Sequence, residues 1–235
     1  MNLPLEIKTI SHKTEFKLKE KGSIFIAKSF PINSEKEIEQ ELNSIKKEYY
    51  DATHHCYSYQ LQNGNFKYSD DGEPNGTAGL RIYNAQNHFE LKNILTIVIR
   101  YFGGTKLGVG PLGKAYYESA FGSLSNSRIK ILQLYQSLII SYDYSQSRNI
   151  HYLINKYDIK IINNDFSQSP KIVAFINTKI VNQFEEEVKK FLPLINPSFK
   201  ENFEYFEKKT SNIWIKVNFK YFYIRYNSLL IYFRR

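Results

Sequence analysis

The most constraining feature of the sequence is the near-continuous apolar run NILTIVIRYF at residues 93–102. Its length and its β-branched residues are typical of a buried strand. The glycine-rich segment GGTKLGVG follows at 103–110, and Pro111 suits the first turn of the next helix. The stretch therefore predicts a buried strand, a glycine loop and a helix in succession.

The residues before this run predict further strands and helices. Ser34 can cap a helix, and Glu37 follows three residues later as in a capping box. Short alternating apolar stretches predict strands, with a turn signal at Lys21-Gly22. The predicted elements are strands within 5–10, 14–30 and 53–61, helices at 34–50 and 80–89, and a loop at 62–79.

After a break near 125–130 the chain predicts a second, smaller unit. Its predicted elements are strands at 132–142, 159–165, 171–177 and 199–206 and helices at 145–157 and 182–192. This βαββαβ order is the split βαβ, ferredoxin-like arrangement. We therefore predict an α+β protein with an N-terminal domain at 1–128 and a C-terminal domain at 132–207, joined by a hinge around 126–132.

Residues 208–235 continue neither pattern and are predicted to be an aromatic and basic tail, accessory or poorly ordered. The formal net charge of the chain is +9, from 32 Lys and Arg against 23 Asp and Glu. Residues 211–235 hold five of the basic residues and no acid, which leaves +4 for residues 1–210. The usual inference from a basic chain to a nucleic-acid partner therefore applies only weakly to the folded part.

The compartment is predicted from cysteine use and hydropathy. The single cysteine, Cys56, excludes an intramolecular disulfide framework and fits a reducing compartment. The N-terminus has no apolar core of signal-peptide length, and no charge-free stretch approaches the length of a transmembrane helix. We expect a cytoplasmic protein with no membrane partner.

Two nucleotide-binding motifs fit the glycine loop poorly. Residues 108–113 match GxGxxG, but they begin six residues after Phe102, and no acid follows between Arg128 and Tyr142. A Walker A loop over the same stretch would need Ser or Thr where Ala115 stands. Both nucleotide readings are therefore disfavoured.

A more general anion site remains as an interpretation of the glycine loop. The glycines permit close backbone approach, the following helix start offers free N–H groups, and two lysines add positive charge, which suits an RNA phosphate. The equally weighted alternative is that the glycines only allow the buried strand to turn sharply into its helix. The candidate nucleic-acid-binding or anion-binding residues are Arg100, Gly103, Gly104, Lys106, Gly108, Gly110 and Lys114.

The tripeptide His54-His55-Cys56 lies in a predicted strand. Adjacent strand residues point to opposite faces, so the two histidines cannot chelate one metal, and zinc requires three or four protein ligands. Cys56 as a nucleophile would need a neighbouring base, and we predict instead that it is a small core residue. His54 and His55 are candidates for a groove, because one of them must face solvent or a groove, where it could touch a phosphate or a base.

The segment YSDDGEPNGTAGL, residues 68–80, holds three carboxylates in a turn-rich loop. Carboxylates next to a helix start interact favourably with the helix dipole, and Thr77 is the predicted cap of the helix that follows. The loop is interpreted as a rigid turn and cap, with no metal site, cofactor or catalytic residue assigned. Its motif residues are Asp70, Asp71, Gly72, Glu73, Gly76, Thr77 and Gly79.

Three motifs, DATHHC, YSDDGEPNGTAG and VIRYFGGTKLGVGPLGKAY, together resemble the YigZ/Impact family over about residues 14–125. The weaker second half, 132–207, is similar to the C-terminal domain of the bacterial members. Pro111 stands where the family commonly has a second glycine, and Gly113-Lys114 replaces a more usual Val-Arg or Val-Lys pair. The cation at position 114 is kept.

The resemblance implies an N-terminal domain with the fold of the second domain of ribosomal protein S5. It also implies a ferredoxin-like C-terminal domain similar to modules of elongation factor G. Both folds are associated with translation, although fold analogy is a weak basis for function. Eukaryotic members counter a starvation kinase that suppresses translation initiation, but through an additional domain, so that partner is not carried over.

The function predicted from the sequence is that of a non-catalytic, translation-associated regulatory factor that binds RNA, the ribosome or a ribosome-associated partner. The alternative is a hydrolase or peptidase that uses the Asp70, Asp71 and Glu73 loop with His54 or His55. A third interpretation assigns the domains and the tail to protein contacts. The sequence leaves the oligomeric state open.

Overall fold

The computed structural model describes residues 3–166, 169–192, 195 and 197–208, and the backbone of two further strands. The strands are β1 (Glu6–Ile10), β2 (Thr14–Glu20), β3 (Ser23–Pro31), β4 (His54–Gln60), β5 (Phe66–Ser69), β6 (Ile94–Tyr101), β7 (Ile129–Ser141), β8 (Lys160–Asp165), β9 (Lys171–Asn177), β10 (Ser198–Glu207), β11 (Tyr223–Tyr226) and β12 (Leu229–Tyr232). The helices are α1 (Glu35–Glu48), α2 (Gly79–His88), α3 (Val109–Ser125), α4 (Ser147–Lys156) and α5 (Val181–Phe191). The protein is thus a mixed α and β structure.

The chain divides into two compact units. The first contains residues 7–131, and the second contains residues 4–6 and the chain from 132 onward. In the first unit, five antiparallel strands form one sheet in the order β2-β3-β6-β4-β5. The apolar run is therefore the central strand of this sheet.

Strand β6 is buried on both faces of the sheet, as its composition predicts. Ile94 and Val98 belong to a core shared with α2 and α3. Leu95, Ile97 and Ile99 belong to a second core shared with α1. The alternation of side chains along a strand explains why one apolar run supplies two cores.

The boundaries of α1 follow the predicted cap. The Glu37 backbone N–H donates to Ser34 Oγ at 3.3 Å, and the Asn33 backbone N–H donates to Glu37 Oε2 at 2.8 Å. These two bonds satisfy donors at the helix start. Ile38 and Ile45 are buried on the sheet side of the helix.

Two predictions in the first unit are wrong in detail. The loop predicted at 62–79 contains the short strand β5, which pairs with β4. Helix α3 begins at Val109, two residues before Pro111, and its first hydrogen bond runs from the Leu112 N–H to the Gly108 carbonyl. Pro111 is tolerated there because first-turn residues need no N–H donor.

In the second unit, β7, α4, β8, β9, α5 and β10 follow one another in βαββαβ order. The strands lie in the order β10-β7-β9-β8. Helices α4 and α5 contribute Ile150, Leu153, Phe184 and Val188 to one apolar core with the sheet. No helix in the described part of the chain is long and apolar enough to cross a membrane.

Most of the predicted tail, 208–235, lies outside the described residues. Within it the structure describes the backbone of β11 and β12, which pair antiparallel with Tyr223 opposite Tyr232. The prediction that the tail is accessory or poorly ordered stays a prediction.

Among the glycines, Gly103 leaves the least room for a side chain, and its substitution provides a test of the fold. A Cβ at Gly103 would lie 1.9 Å from the Gly22 carbonyl carbon, whereas a Cβ at Gly110 would meet no atom within 4 Å. We expect Gly103→Ala to lower the free energy of unfolding by about 1–3 kcal/mol or more, because backbone must move. Chemical denaturation measures the difference.

Gly110→Ala is the matched control from the same part of the chain. Gly110 lies in the first turn of α3, and its φ is not positive. Alanine there should leave the free energy of unfolding unchanged or raise it by up to about 1 kcal/mol. Equal stability of the two variants would contradict the close approach of Gly103 to the Lys21-Gly22 turn.

Candidate functional site

The predicted site residues lie in the first unit, on two loops, at the ends of β4 and β6, and in the first two turns of α2 and α3. We call residues 70–78, which join β5 to α2, the acidic loop. We call residues 102–108, which join β6 to α3, the glycine loop. His54 is the first residue of β4 and lies directly opposite Arg100, near the end of β6. The two loops therefore lie at the same end of the sheet.

Asp70 organises the acidic loop through backbone hydrogen bonds. Its carboxylate accepts from the backbone N–H groups of Gly76 at 2.9 Å, Ala78 at 2.9 Å and Gly79 at 2.8 Å. These bonds satisfy donors at the start of α2, and the negative charge lies favourably at the positive end of the helix dipole. Asp70 is therefore the cap of α2.

The prediction that Thr77 caps α2 is wrong. Thr77 is buried, and its hydroxyl donates to the Pro74 carbonyl at 2.6 Å, within the acidic loop. The position before the helix is Ala78, which has no side-chain cap. A carboxylate eight residues upstream replaces the hydroxyl because the loop folds back on itself.

Asp71 fastens the acidic loop to β4. Its φ of 43° and the φ of 87° at Gly72 form a tight left-handed turn. The Asp71 carboxylate accepts from the His55 N–H at 2.6 Å, and its carbonyl lies 2.7 Å from His54 Nδ1. This carboxylate therefore holds the backbone of the acidic loop against β4.

Glu73 forms the buried centre of the site. Its Oε1 accepts from Arg100 Nη1 at 2.5 Å and from the Tyr116 hydroxyl at 2.8 Å. The side chains of Glu73 and Arg100 are only 4% and 6% exposed. His54 Nε2 lies 3.8 Å from the same Glu73 oxygen, so one imidazole borders this pair.

Arg100 is held from several directions. Its Nη2 donates to Ser23 Oγ at 3.3 Å, and its guanidinium lies 5.3 Å from the Phe25 ring and 5.5 Å from the Phe102 ring. A buried arginine that is paired and stacked in this way is fixed in place. Arg100 is thus an internal partner of Glu73, and it is not among the cations that face solvent.

Cys56 is a buried free cysteine next to this cluster. Its thiol contacts the Asp70 carbonyl at 3.0 Å and the Tyr116 hydroxyl at 3.3 Å. Burial raises the pKa of the Cys56 thiol well above its ordinary value, and the negative charge of Glu73 adds to the rise. Burial likewise raises the pKa of Tyr116. Both groups are therefore neutral near pH 7.

The two histidines point to opposite faces of β4, as strand geometry predicts. His54 contacts the acidic loop, whereas His55 Nε2 lies 2.9 Å from the Tyr49 carbonyl at the end of α1. The His54 side chain is 20% exposed and is the one that borders Glu73. In the described part of the chain, no three His, Cys, Asp or Glu residues are grouped to hold a metal ion.

The glycine loop is exposed, with Leu107 buried beneath it. Gly104 and Gly108 have φ values of 82° and 83°, and the Gly103 N–H donates to Ser23 Oγ at 3.2 Å. Lys106 in the loop and Lys114 in α3 are both exposed. The Lys114 side chain is 73% exposed and lies 3.6 Å from Glu118.

Sequence reasoning missed Tyr116 and Arg81. Tyr116 is separated from Glu73 by 43 residues, so no local pattern could join them. Arg81 is exposed on α2, and its Nε would lie 3.1 Å from a Cβ at Gly113 of α3. A small residue on α3 therefore admits a further cation beside Lys114.

These residues lie within a segment shared with known proteins. The family model described as the Impact N-terminal domain matches residues 21–124. An IMPACT family member from Haemophilus influenzae is 34% identical over 61% of this chain and 72% of its own length. The chain belongs to the IMPACT family. The acidic loop, the glycine loop and both histidines fall inside the matched residues.

Other IMPACT relatives extend the likeness beyond the first unit. The IMPACT family member YvyE from Bacillus subtilis is 29% identical over 76% of this chain and 83% of its own length. A solved structure described as a hypothetical protein has a TM-score of 0.63 at 24% identity, and it covers 85% of this chain and 100% of that one. This structural likeness concerns the fold alone.

The first prediction from the site concerns the Glu73–Arg100 pair. We expect Glu73→Gln to lower the free energy of unfolding by about 3–5 kcal/mol, because Arg100 is left buried without its counter-charge. Urea denaturation monitored by circular dichroism measures this loss.

Glu118→Gln is the control for Glu73→Gln, since it removes a half-exposed partner of Lys114. An exposed pair contributes about 0–1 kcal/mol, so this variant should stay close to the unchanged protein. Similar stabilities for the two variants would contradict a buried ion pair at Glu73.

The second prediction concerns the thiol. Because Cys56 is buried and its pKa is raised, iodoacetamide at pH 8 should modify the native protein much more slowly than the urea-unfolded protein. Mass spectrometry reads the reaction at the single cysteine. Alkylation of the native protein as fast as the unfolded protein would show an accessible thiolate, which the geometry does not provide.

Proposed function

We propose that this IMPACT family protein is a non-catalytic, translation-associated regulatory factor that binds RNA or the ribosome. One observation carries the proposal. Lys106 and Lys114 are exposed around the glycine loop and the start of α3, while the neighbouring carboxylates of Asp70, Asp71 and Glu73 are engaged in internal contacts. These two lysines outnumber the one half-exposed carboxylate described beside them, Glu118, so the surface offered to a partner carries a net positive charge.

The start of α3 supports binding of a phosphate. The first N–H groups of a helix have no intrahelical acceptor, and the helix dipole favours an anion at this end. The backbone here is open, since a Cβ at Gly104, Gly108 or Gly110 would meet no atom within 4 Å. Two flexible lysines beside such a backbone match the phosphates of RNA.

The acidic loop strengthens this proposal by the way its charges are used. Asp70 neutralises the start of α2, and Glu73 is neutralised by Arg100. Charges that are satisfied within the protein repel an approaching phosphate less than free carboxylates would. The acids next to the cationic surface are therefore compatible with RNA.

A hydrolase is the second candidate, because His54 Nε2 lies 3.8 Å from Glu73 Oε1. A carboxylate beside an imidazole is one arrangement used in general acid–base catalysis. The remaining carboxylates argue against this function, since Asp70 and Asp71 hold backbone N–H groups. A hydrolase of this kind would cleave model ester or peptide substrates, and His54→Ala would lose that activity. No hydrolysis by the unchanged protein, or equal hydrolysis by His54→Ala, would remove this candidate.

Two finer assignments belong with the proposal. We propose that the first unit has the fold of the second domain of ribosomal protein S5. We propose that the second is ferredoxin-like and similar to modules of elongation factor G, supported by its βαββαβ order and its strand order β10-β7-β9-β8. A cytoplasmic location fits the single free cysteine.

The binding proposal is tested by reversing its two cations together. Lys106→Glu with Lys114→Glu should abolish co-sedimentation with ribosomes at low salt. For a defined RNA, the slope of log affinity against log salt should fall by about 2, because two phosphate contacts are lost.

Lys17→Glu with Lys19→Glu is the matched control. Both lysines are exposed on β2, and the pair makes the same change in net charge. This variant should still co-sediment. If the Lys106 and Lys114 variant sediments with ribosomes as well as the unchanged protein does, the proposed surface is wrong.

A further inference from the structure

Three aromatic rings form an exposed cluster where β5 lies beside α2. Phe66 and Tyr68 of β5 are 55% and 40% exposed. Tyr83 of α2 stacks on Phe66 with ring centroids 5.2 Å apart and an interplanar angle of 29°. It also lies 6.2 Å from the Tyr68 ring at 41°. We call Phe66, Tyr68 and Tyr83 the ring cluster.

The ring cluster is built on a firm support. Phe66 and Tyr68 alternate with Lys67 along β5 and so share one face of the sheet. A Cβ at Gly79 would lie 2.7 Å from the Ser69 backbone, so the start of α2 packs directly on the end of β5. The relative position of strand and helix is therefore fixed.

Phe66 and Tyr68 remain exposed although Tyr83 packs beside both rings. Tyr83 covers one side of Phe66 by stacking, and the exposed fraction of Phe66 leaves its other side open. Among the strands that the structure describes, β5 is also an edge strand and pairs only with β4. Open aromatic faces on a rigid edge are typical of a surface that contacts a partner.

The charged side chain that α2 exposes near the ring cluster is positive. Arg81 is exposed and takes part in no ion pair within the described residues, whereas Lys67 points to the opposite face of β5, where it pairs with Tyr59. The acids of this part of the chain are engaged in hydrogen bonds or ion pairs: Asp70, Asp71, Glu73 and Glu90. Open rings beside an exposed arginine match nucleobases joined by phosphates better than they match an apolar protein surface.

We propose that the ring cluster is a stacking platform for the bases of single-stranded RNA, with Arg81 of α2 contacting an adjacent phosphate. This inference rests on the proposed RNA-binding function and specifies its partner. Unpaired bases expose their faces and stack on aromatic side chains, whereas bases in a duplex are already stacked on one another.

The position of Arg81 connects the ring cluster with the proposed phosphate site. Arg81 and Tyr83 lie two residues apart on α2, which places them on either side of its exposed face. Arg81 packs beside Gly113 in α3, next to Lys114. A strand of RNA can therefore run from the rings across α2 to the start of α3.

The test uses the full chain and two fluorescein-labelled probes, read by fluorescence anisotropy. One is a single-stranded RNA of about 12 nucleotides, a length within the usual site size, and the other is the same strand annealed to its complement. Phe66→Ala and Tyr68→Ala should each bind the single strand about fivefold to a hundredfold more weakly. Binding of the duplex should change less than about twofold, because its bases cannot stack on the rings.

Two further variants show whether stacking is responsible. Phe66→Trp keeps an aromatic face and should retain affinity for the single strand within about twofold. Tyr50→Ala removes an 84% exposed ring from the same unit, outside the ring cluster, and should bind both probes normally. Circular dichroism confirms that each variant is folded.

The outcomes separate this inference from the proposed function. Unchanged binding by Phe66→Ala and Tyr68→Ala, or an equal loss for both probes, overturns the stacking platform alone. Normal binding of RNA combined with loss of self-association in sedimentation assigns the rings to a protein contact and also overturns it. If the unchanged protein binds neither probe nor ribosomes at low salt, the proposed function itself is wrong.

Discussion

The buried ion pair between Glu73 and Arg100 is the interaction on which the candidate site depends. Two charges taken out of water are unfavourable unless each finds partners inside the protein. Here the Tyr116 hydroxyl, the Ser23 hydroxyl and the faces of Phe25 and Phe102 surround the pair. The pair itself joins the acidic loop to β6, and the surrounding groups come from β3, α3 and the glycine loop, so the pair has all its partners only when these five elements are in place. It therefore fixes the acidic loop against the strand that leads into the glycine loop.

Three carboxylates that are close together in the sequence, and so are candidates for a catalytic group, have structural roles in this arrangement. Asp70 holds the start of α2, Asp71 holds β4, and Glu73 holds Arg100. A group acting in acid–base catalysis must reach a substrate, whereas these carboxylates are directed at backbone N–H groups or at a buried guanidinium. What they leave at the surface is the set of cations on the neighbouring loop and helices. The acids thus support a site whose exposed charge is positive.

Sequence patterns predicted the elements well because burial repeats locally. The apolar run at 93–102 became β6 at Ile94–Tyr101, and the strand predicted at 171–177 is β9 with those bounds. Strand β5 was missed because four residues among glycines and asparagines carry too little periodicity. The partners of Glu73 could not be predicted, since Arg100 and Tyr116 lie 27 and 43 residues away. Asp70 replaced Thr77 as the cap of α2 for a similar reason, because the fold of the loop decides which oxygen reaches the helix.

The acidic loop also connects the two surfaces to which we assign RNA contacts. Asp70 fixes the start of α2, the helix that carries Arg81 and Tyr83, while Glu73 fixes β6 and α3 on either side of the glycine loop. The two surfaces differ in physical character: phosphate contacts weaken steeply with salt, and base stacking depends on whether the bases are unpaired. Cations alone would attract duplex and single-stranded RNA alike. Rings held rigidly beside them add a preference for unpaired segments, which an exposed cationic loop by itself cannot supply.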